Sequence, residues 1–304
     1  MDSSTNRKLM TRCLQTTGQG YFEEVVYIKP EPSDYEIEVK ALMTGVCRSD
    51  IDMMQGNFGP LPLHMQGHEG LGVVTKVGSG IGATQVGDIV ATRGEPAYAD
   101  VYNVRINEYV VVPEAHPKYI LEPVACGINV VKQADSELAK RHGKLLILGS
   151  GFLAWVAYNT LKLDCYNFEI DVLGGSNQEL WGDKLLLGTS ESYDIVIDLS
   201  GKYELGTEIN LNNNALIIDA VGKAVSHKEA QQQLWKAVTT IKPSPRTDGF
   251  IKCMDYARWW IENGYLKVDS FWTRCYNRNT EWQQAFADGM DRPNGYSRGY
   301  IKWD

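Results

Sequence analysis

The chain has 304 residues, about twice the length at which one compact core suffices, so two domains are expected. Its 43% hydrophobic and 22% charged residues, with 29 glycines and 11 prolines, exclude a disordered, collagen-like or coiled-coil chain. The 38 acidic and 30 basic residues give a formal net charge of -8, which repels phosphate backbones and anionic lipid and argues against nucleic-acid and membrane partners.

Met1 to Lys8 is polar, and no stretch reaches the roughly 18 apolar residues of a membrane span, so a soluble, cytoplasmic protein is expected. From Lys8 to about Pro113, short alternating runs are broken by glycine and proline. Glu23–Tyr27, Tyr35–Ala41, Leu71–Val77, Asp88–Thr92 and Glu108–Val112 predict the strands of a barrel-like fold. Pro123 to His142 reads as a helix, Lys144–Leu148 as a strand running into Gly149-Ser150-Gly151, and Phe152–Leu163 as the helix after it. Strands follow at Phe168–Leu173, Tyr193–Leu199 and Ala215–Val221; helix-length segments between them mean a parallel sheet with crossovers. A helix at Ile251–Asn263, the stretch Val268–Tyr276, a helix at Trp282–Ala287 and a last strand at Gly299–Trp303 end the chain. This return to strand character predicts that the C-terminus completes the first domain. The six cysteines are widely spaced, with no C-x-x-C pair, and read as reduced thiols.

Chemistry concentrates in Gly45-Val46-Cys47-Arg48-Ser49-Asp50 and Gly67-His68-Glu69. A thiolate, an imidazole and a carboxylate are what a catalytic zinc takes when it keeps one position open. An isolated cysteine and histidine are more often a buried thiol and a loop imidazole, but here the glycines continue at Gly72 and Gly78 into Gly87-Asp88-x-Val90. This pattern closely resembles the zinc-containing medium-chain alcohol dehydrogenase family, with its Cys-x-Ser/Thr-Asp, Gly-His-Glu and Gly-Asp-x-Val blocks. Ile28 to Lys40 is similar to the family's proline-rich entry.

The resemblance implies an α/β chain with a GroES-like β-barrel catalytic domain over 1–127, completed by 268–304, and a Rossmann doubly wound parallel-sheet domain over 128–267. It implies zinc on Cys47, His68 and Glu122; Glu122 stands five residues before Gly127, as in the polyol and threonine dehydrogenase branches. Glu69 is the rival third ligand, and Cys126 reads as a small buried hydrophobe. Ser49 and Asp52 are the expected proton relay, and Arg48 and Arg298 the expected cofactor contacts, with Arg298 also pairing Asp50. The bland alternatives are a turn hydroxyl and solvated charges. No cysteine lies between Gly87 and Glu122, so the family's structural-zinc lobe is absent and one zinc per chain is expected.

Gly149-Ser150-Gly151-Phe152-Leu153-Ala154 is G-x-G-x-x-A between a predicted strand and helix. Gly149 permits the turn, Gly151 lets a pyrophosphate approach, and Ala154 lets helix and strand pack. The next strand ends at Leu173-Gly174-Gly175-Ser176-Asn177 with no acid, which resembles the family's NADP-dependent members; Asp171 would serve NAD if that strand were shorter. The resemblance therefore implies a zinc-dependent oxidoreductase moving a hydride between NADP or NAD and a small alcohol or carbonyl. A homodimer or homotetramer pairing Ala215–Val221 is its expected assembly. Alternatives on the same scaffold are a zinc-free quinone or alkene reductase, which Cys47 and His68 disfavour, and a non-catalytic binding protein.

Overall fold

The computed structural model describes residues 9–58, 64–223 and 225–303. Met1 to Lys8, read above as a polar entry, lies outside them. The chain divides into two units, Met1–Pro123 with Met254–Asp304, and Val124–Cys253.

The first unit opens with β1 (Leu9–Thr16), β2 (Glu23–Lys29), β3 (Glu36–Gly45), helix α1 (Arg48–Met54) and β4 (His64–Met65). β5 (Gly70–Val77), β6 (Ile89–Thr92), β7 (Val101–Arg105) and β8 (Tyr109–Val112) follow. β1 carries β2 and β4 on its two sides. β3 pairs antiparallel with both β5 and β7, and the ladder runs on from β5 through β6 to β8. Because alternate strand residues share a face, Ile37, Val39 and Ala41 point together into a core with Val74, Val90 and Tyr102. β1 is not among the predicted strands, since buried Thr11, Gln15 and Thr16 break its apolar alternation.

α2 (Glu122–Lys132), whose first two residues still belong to the first unit, enters the second and leads through α3 (Asp135–Leu138) to β9 (Lys144–Leu148), α4 (Phe152–Leu163), β10 (Glu169–Leu173), α5 (Gln178–Trp181) and β11 (Leu185–Leu186). β12 (Ser192–Asp198), β13 (Asn210–Asp219), α6 (His227–Trp235) and β14 (Thr239–Ile241) complete it. All six strands run parallel in the order β11-β10-β9-β12-β13-β14, the doubly wound arrangement. Leu145, Ile147, Ile195 and Ile197 pack on one face, and Leu146, Leu148 and Val196 on the other. Burial on both faces is why these strands read as unbroken apolar runs.

Two predicted elements differ. The helix expected over Pro123 to His142 breaks after Lys132, where the Gln133 amide donates to Asn129 Oδ1 and to the Ser244 carbonyl, and Asp135 starts a new turn. β13 begins five residues before Ala215, and the polar run Asn212 to Asn214, where Asn214 takes a left-handed φ of 61° and the ladder to β12 shifts register, hides that first stretch from an apolar pattern. Short polar side chains tolerate that conformation.

α7 (Phe250–Glu262) returns the chain to the first unit, where β15 (Trp272–Asn277), α8 (Trp282–Asp291) and β16 (Arg298–Lys302) end it. β16 pairs parallel with β15 and antiparallel with β3, placing Tyr300 opposite Gly45. Trp303 is buried and donates its indole N–H to Thr44 Oγ1 at 2.9 Å. The last strand is thus locked beside the turn that carries Cys47. All six cysteines are free thiols, and among the described residues no helix is long and apolar enough to cross a membrane.

Candidate functional site

β3 ends at Gly45, and Cys47 then caps the N-terminus of α1 in extended conformation (φ -90°, ψ 149°). β5 begins just after Glu69, and its Gly70 sits opposite Thr44 of β3; the Gly45 N–H donates to the Glu69 carbonyl at 2.9 Å. Strand pairing therefore brings the Cys47 turn beside the His68–Glu69 segment. Gly67 makes the corner before His68: its φ is +97°, and an added Cβ would lie 2.5 Å from the Tyr98 backbone nitrogen.

One ligand atom each from Cys47, His68 and Glu69 lie within 4.8 Å of one another, the only such group of three among the described residues. The Ser49 hydroxyl donates to Cys47 Sγ at 3.2 Å and stands 3.5 Å from His68 Nε2. The other ring nitrogen, Nδ1, faces Asp50 Oδ1 at 3.3 Å, and Asp50 is fully buried. A buried carboxylate behind Nδ1 leaves Nε2 on the side of Ser49, the orientation that a carboxylate on the far ring nitrogen gives a metal-binding histidine. Burial, then the Glu69 carboxylate, push the Cys47 thiol up, with His68 pulling the other way. Burial alone would lower the His68 pKa, but Asp50, Cys47 and Glu122 hold it well above its ordinary value. A thiol, an imidazole and three buried carboxylates converge here, a donor set that fits a divalent cation.

Glu122, the third ligand implied by the resemblance, is buried in the first turn of α2 and acts on His68 through its charge. It is not one of the three residues whose ligand atoms cluster; Glu69 takes that place because it follows His68 directly.

The expected Asp50–Arg298 pair is not formed. Arg298 starts β16, and its Nη2 reaches Glu69 Oε1 at 2.6 Å, with the guanidinium stacked 5.0 Å from the Trp272 ring. Asp50 Oδ2 meanwhile accepts from the Cys47 N–H and the Tyr98 hydroxyl, and Oδ1 faces His68 Nδ1, so the carboxylate is held within its own corner of the site. Asp52 pairs with Arg48 at 3.2 Å and accepts from Asn57 at 3.1 Å, which ties two expected functional residues to each other. Tyr98 was no part of the sequence reading. A tyrosine between Ala97 and Ala99 is the only local signal, and its partners come from β3 and α1.

In the second unit Gly149 turns with φ +108°, and Gly151 caps α4 with nothing within 4 Å of its would-be Cβ. That open cradle at a helix N-terminus is the shape a pyrophosphate requires. Ala154 is buried against the β9 side chains of its core. Ser150 Oγ accepts from the Ser176 N–H at 2.8 Å, and the Ser150 carbonyl accepts from Asn177 Nδ2 at 3.1 Å, so the 174–177 segment folds back on the glycine turn. Asp171 sits inside β10, opposite Leu146, and accepts from the Tyr193 hydroxyl at 3.0 Å. The strand end carries Gly175, Ser176 and Asn177 and no acid.

Residues 33–121 match the family model described as "Alcohol dehydrogenase GroES-like domain". An alcohol dehydrogenase of Schizosaccharomyces pombe is 44% identical over 75 residues, 24% of this chain and 21% of that protein. An alcohol dehydrogenase of Moraxella sp. is 30% identical over 176 residues, 47% of this chain and 52% of that protein. The chain therefore spans about half, or less, of the curated relatives it matches. The solved structure of S. aureus TarJ in complex with NADPH superposes with a TM-score of 0.74 at 15% identity, covering 97% of this chain and 100% of that one, a likeness of fold.

Proposed function

We propose that this chain, which belongs to the medium-chain alcohol dehydrogenase family, is a zinc-dependent oxidoreductase moving a hydride between NADP or NAD and a primary or secondary alcohol or its carbonyl. The observation that carries the reading is the Cys47–His68–Glu69 cluster, with ligand atoms within 4.8 Å and a buried Asp50 behind the imidazole. Bound zinc supplies Lewis acidity that lowers the pKa of an alcohol hydroxyl and polarises a carbonyl in the reverse direction. Cys47, His68 and a glutamate hold it. Ser49, whose hydroxyl touches both ligands, takes the substrate proton, and Asp52, part-exposed at 27%, passes it to solvent. Gly149, Gly151 and the start of α4 cradle the pyrophosphate, and Gly175, Ser176 and Asn177 meet the ribose. Arg298 is reassigned from cofactor contact to anchor of Glu69. In this reading the first unit is the catalytic domain and the second the cofactor domain of a cytoplasmic homodimer or homotetramer.

Metal analysis of protein purified without chelator is expected to give one zinc per chain, and a panel of alcohols with either nicotinamide cofactor to give turnover. Zinc-free protein reducing quinones would overturn the assignment.

The two glutamates are separable. Arg298 pairs with Glu69, so a cation must compete with that guanidinium for the Glu69 carboxylate. Glu122→Gln is expected to weaken zinc binding about 10- to 100-fold, and Glu69→Gln by less. Chelator competition checks the order; the reverse order makes Glu69 the ligand.

NADP is expected to be preferred. Gly174 cannot carry a side chain, since its Cβ would lie 2.5 Å from Ser150 Oγ, whereas Gly175 has nothing within 4 Å. Gly175→Asp therefore adds a carboxylate without disturbing the turn, and should move the NADP/NAD ratio of kcat/KM at least about 10-fold toward NAD by like-charge repulsion. A ratio that stays put places the ribose elsewhere.

A further inference from the structure

We infer that Tyr98 is the positioning residue of the metal site, holding Asp50 with its hydroxyl and the His68 corner with its ring. The inference rests on the metal-site reading above. Tyr98 is fully buried, and its hydroxyl lies 2.8 Å from Asp50 Oδ2 and 2.9 Å from the Gly45 carbonyl. Asp50 Oδ2 also accepts from the Cys47 N–H at 3.3 Å, so the tyrosine and the cysteine backbone fix one oxygen and leave the other, Oδ1, facing His68 Nδ1. The hydroxyl thus decides how the carboxylate is rotated, and the carboxylate decides how the imidazole is rotated.

The same residue bears on His68 from the other side. An added Cβ on Gly67 would fall 2.7 Å from Tyr98 Cγ, so the ring lies flush against the residue that turns the chain into His68. The Tyr98 N–H donates to the Gln66 carbonyl at 3.0 Å, and the Tyr98 carbonyl accepts from the Leu14 N–H at 2.9 Å, which leaves the backbone no slack. Edge-on contacts with Phe22 (6.1 Å) and Phe286 (5.3 Å) hold the ring plane. Both metal-binding arms, the Cys47 turn and the Gly67–His68 corner, are therefore indexed to one side chain. None of the ring contacts requires the hydroxyl. Its partners are the Gly45 carbonyl and the carboxylate behind His68, so removing the oxygen tests positioning while sparing packing.

The test is cobalt(II) binding to the purified full chain. Cobalt takes the same ligands as zinc, and the absorption of its thiolate complex reports Cys47 ligation apart from turnover. Tyr98→Phe is expected to keep the fold by circular dichroism and to weaken cobalt binding about 10- to 100-fold. Asp50→Asn should weaken it also, and the double variant by less than the product of the two, because both act through one carboxylate. A melting temperature that falls while cobalt affinity and spectrum stay unchanged reduces Tyr98 to packing and overturns the inference, as do additive effects in the double variant. Should Tyr98→Phe fail to fold, 3,5-difluorotyrosine at position 98 keeps ring and hydroxyl and alters only donor strength; unchanged affinity would again overturn it. Wild type that binds no cobalt through a thiolate removes the metal-site reading itself, a distinct result.

Discussion

Cys47→Ala is expected to lose its zinc and, with it, turnover, while the protein stays folded. The thiolate is the one soft, anionic ligand among the clustered donors, and the remaining imidazole and carboxylates cannot replace it. Lewis-acid stabilisation is worth several kcal/mol, so kcat/KM should fall by about three orders of magnitude or more. Stability should change little without metal. Cys47 is only half-buried, it lies outside the apolar core of its unit, and the Asp50 contact at the head of α1 is made to the Cys47 backbone N–H, which alanine retains. Metal content by atomic spectroscopy and a thermal melt on the same preparation decide the matter. An alanine variant with full zinc moves the site elsewhere, and one without zinc that still turns over alcohols ends the zinc mechanism.

The contrast between Cys47 and Tyr98 shows how far the sequence carries. Phe152–Leu163 is helical over the span read from its apolar spacing, because a glycine turn and a strand frame it locally. Cys47 and His68 can be singled out because each sits in a short block of fixed spacing, and β3–β5 pairing then brings those blocks together. Arg298 was placed near the site but with the wrong acid. Which of two neighbouring carboxylates a guanidinium meets depends on strand register, here Tyr300 opposite Gly45, and no local pattern encodes it. α6 was unread although Ser226 and Glu229 form a capping box at its start; its body, His227–Trp235, is polar and offers little apolar period. Tyr98 lies beyond local reading altogether. Its hydroxyl partner is 48 residues away in the chain, and only the folded barrel brings the two within hydrogen-bond distance.

The largest effect on stability is expected away from the site, where Lys29 at the end of β2 meets Glu38 of β3 and so ties the two sheets of the first unit. Lys29 is 3% and Glu38 4% exposed, and their charged atoms lie 2.8 Å apart. Lys29 also donates to Asn103 Oδ1 at 2.9 Å, and Thr75 donates to the second Glu38 oxygen at 2.9 Å. Lys29→Met leaves a buried carboxylate with Thr75 and the part-exposed Lys76, and should cost about 3–5 kcal/mol. The sign of its pH dependence follows from Glu38. Burial by itself raises this carboxyl, but Lys29, Thr75 and Lys76 together bring it below its usual value. In wild type its contribution is therefore complete above the unfolded carboxyl pKa and is lost as pH falls through the lower folded one. Removing Lys29 leaves burial dominant, so the folded pKa rises above the unfolded value and the variant loses stability as pH climbs toward neutrality. The gap between wild type and Lys29→Met should thus be small at acid pH and widen to its full size near pH 7. Urea melts across that range give the curve, and Lys29→Met combined with Glu38→Leu should recover most of the loss, since paired removal strands no charge. A gap constant with pH would mean that the cost of Lys29→Met is packing, and that Glu38 is held by something other than this lysine.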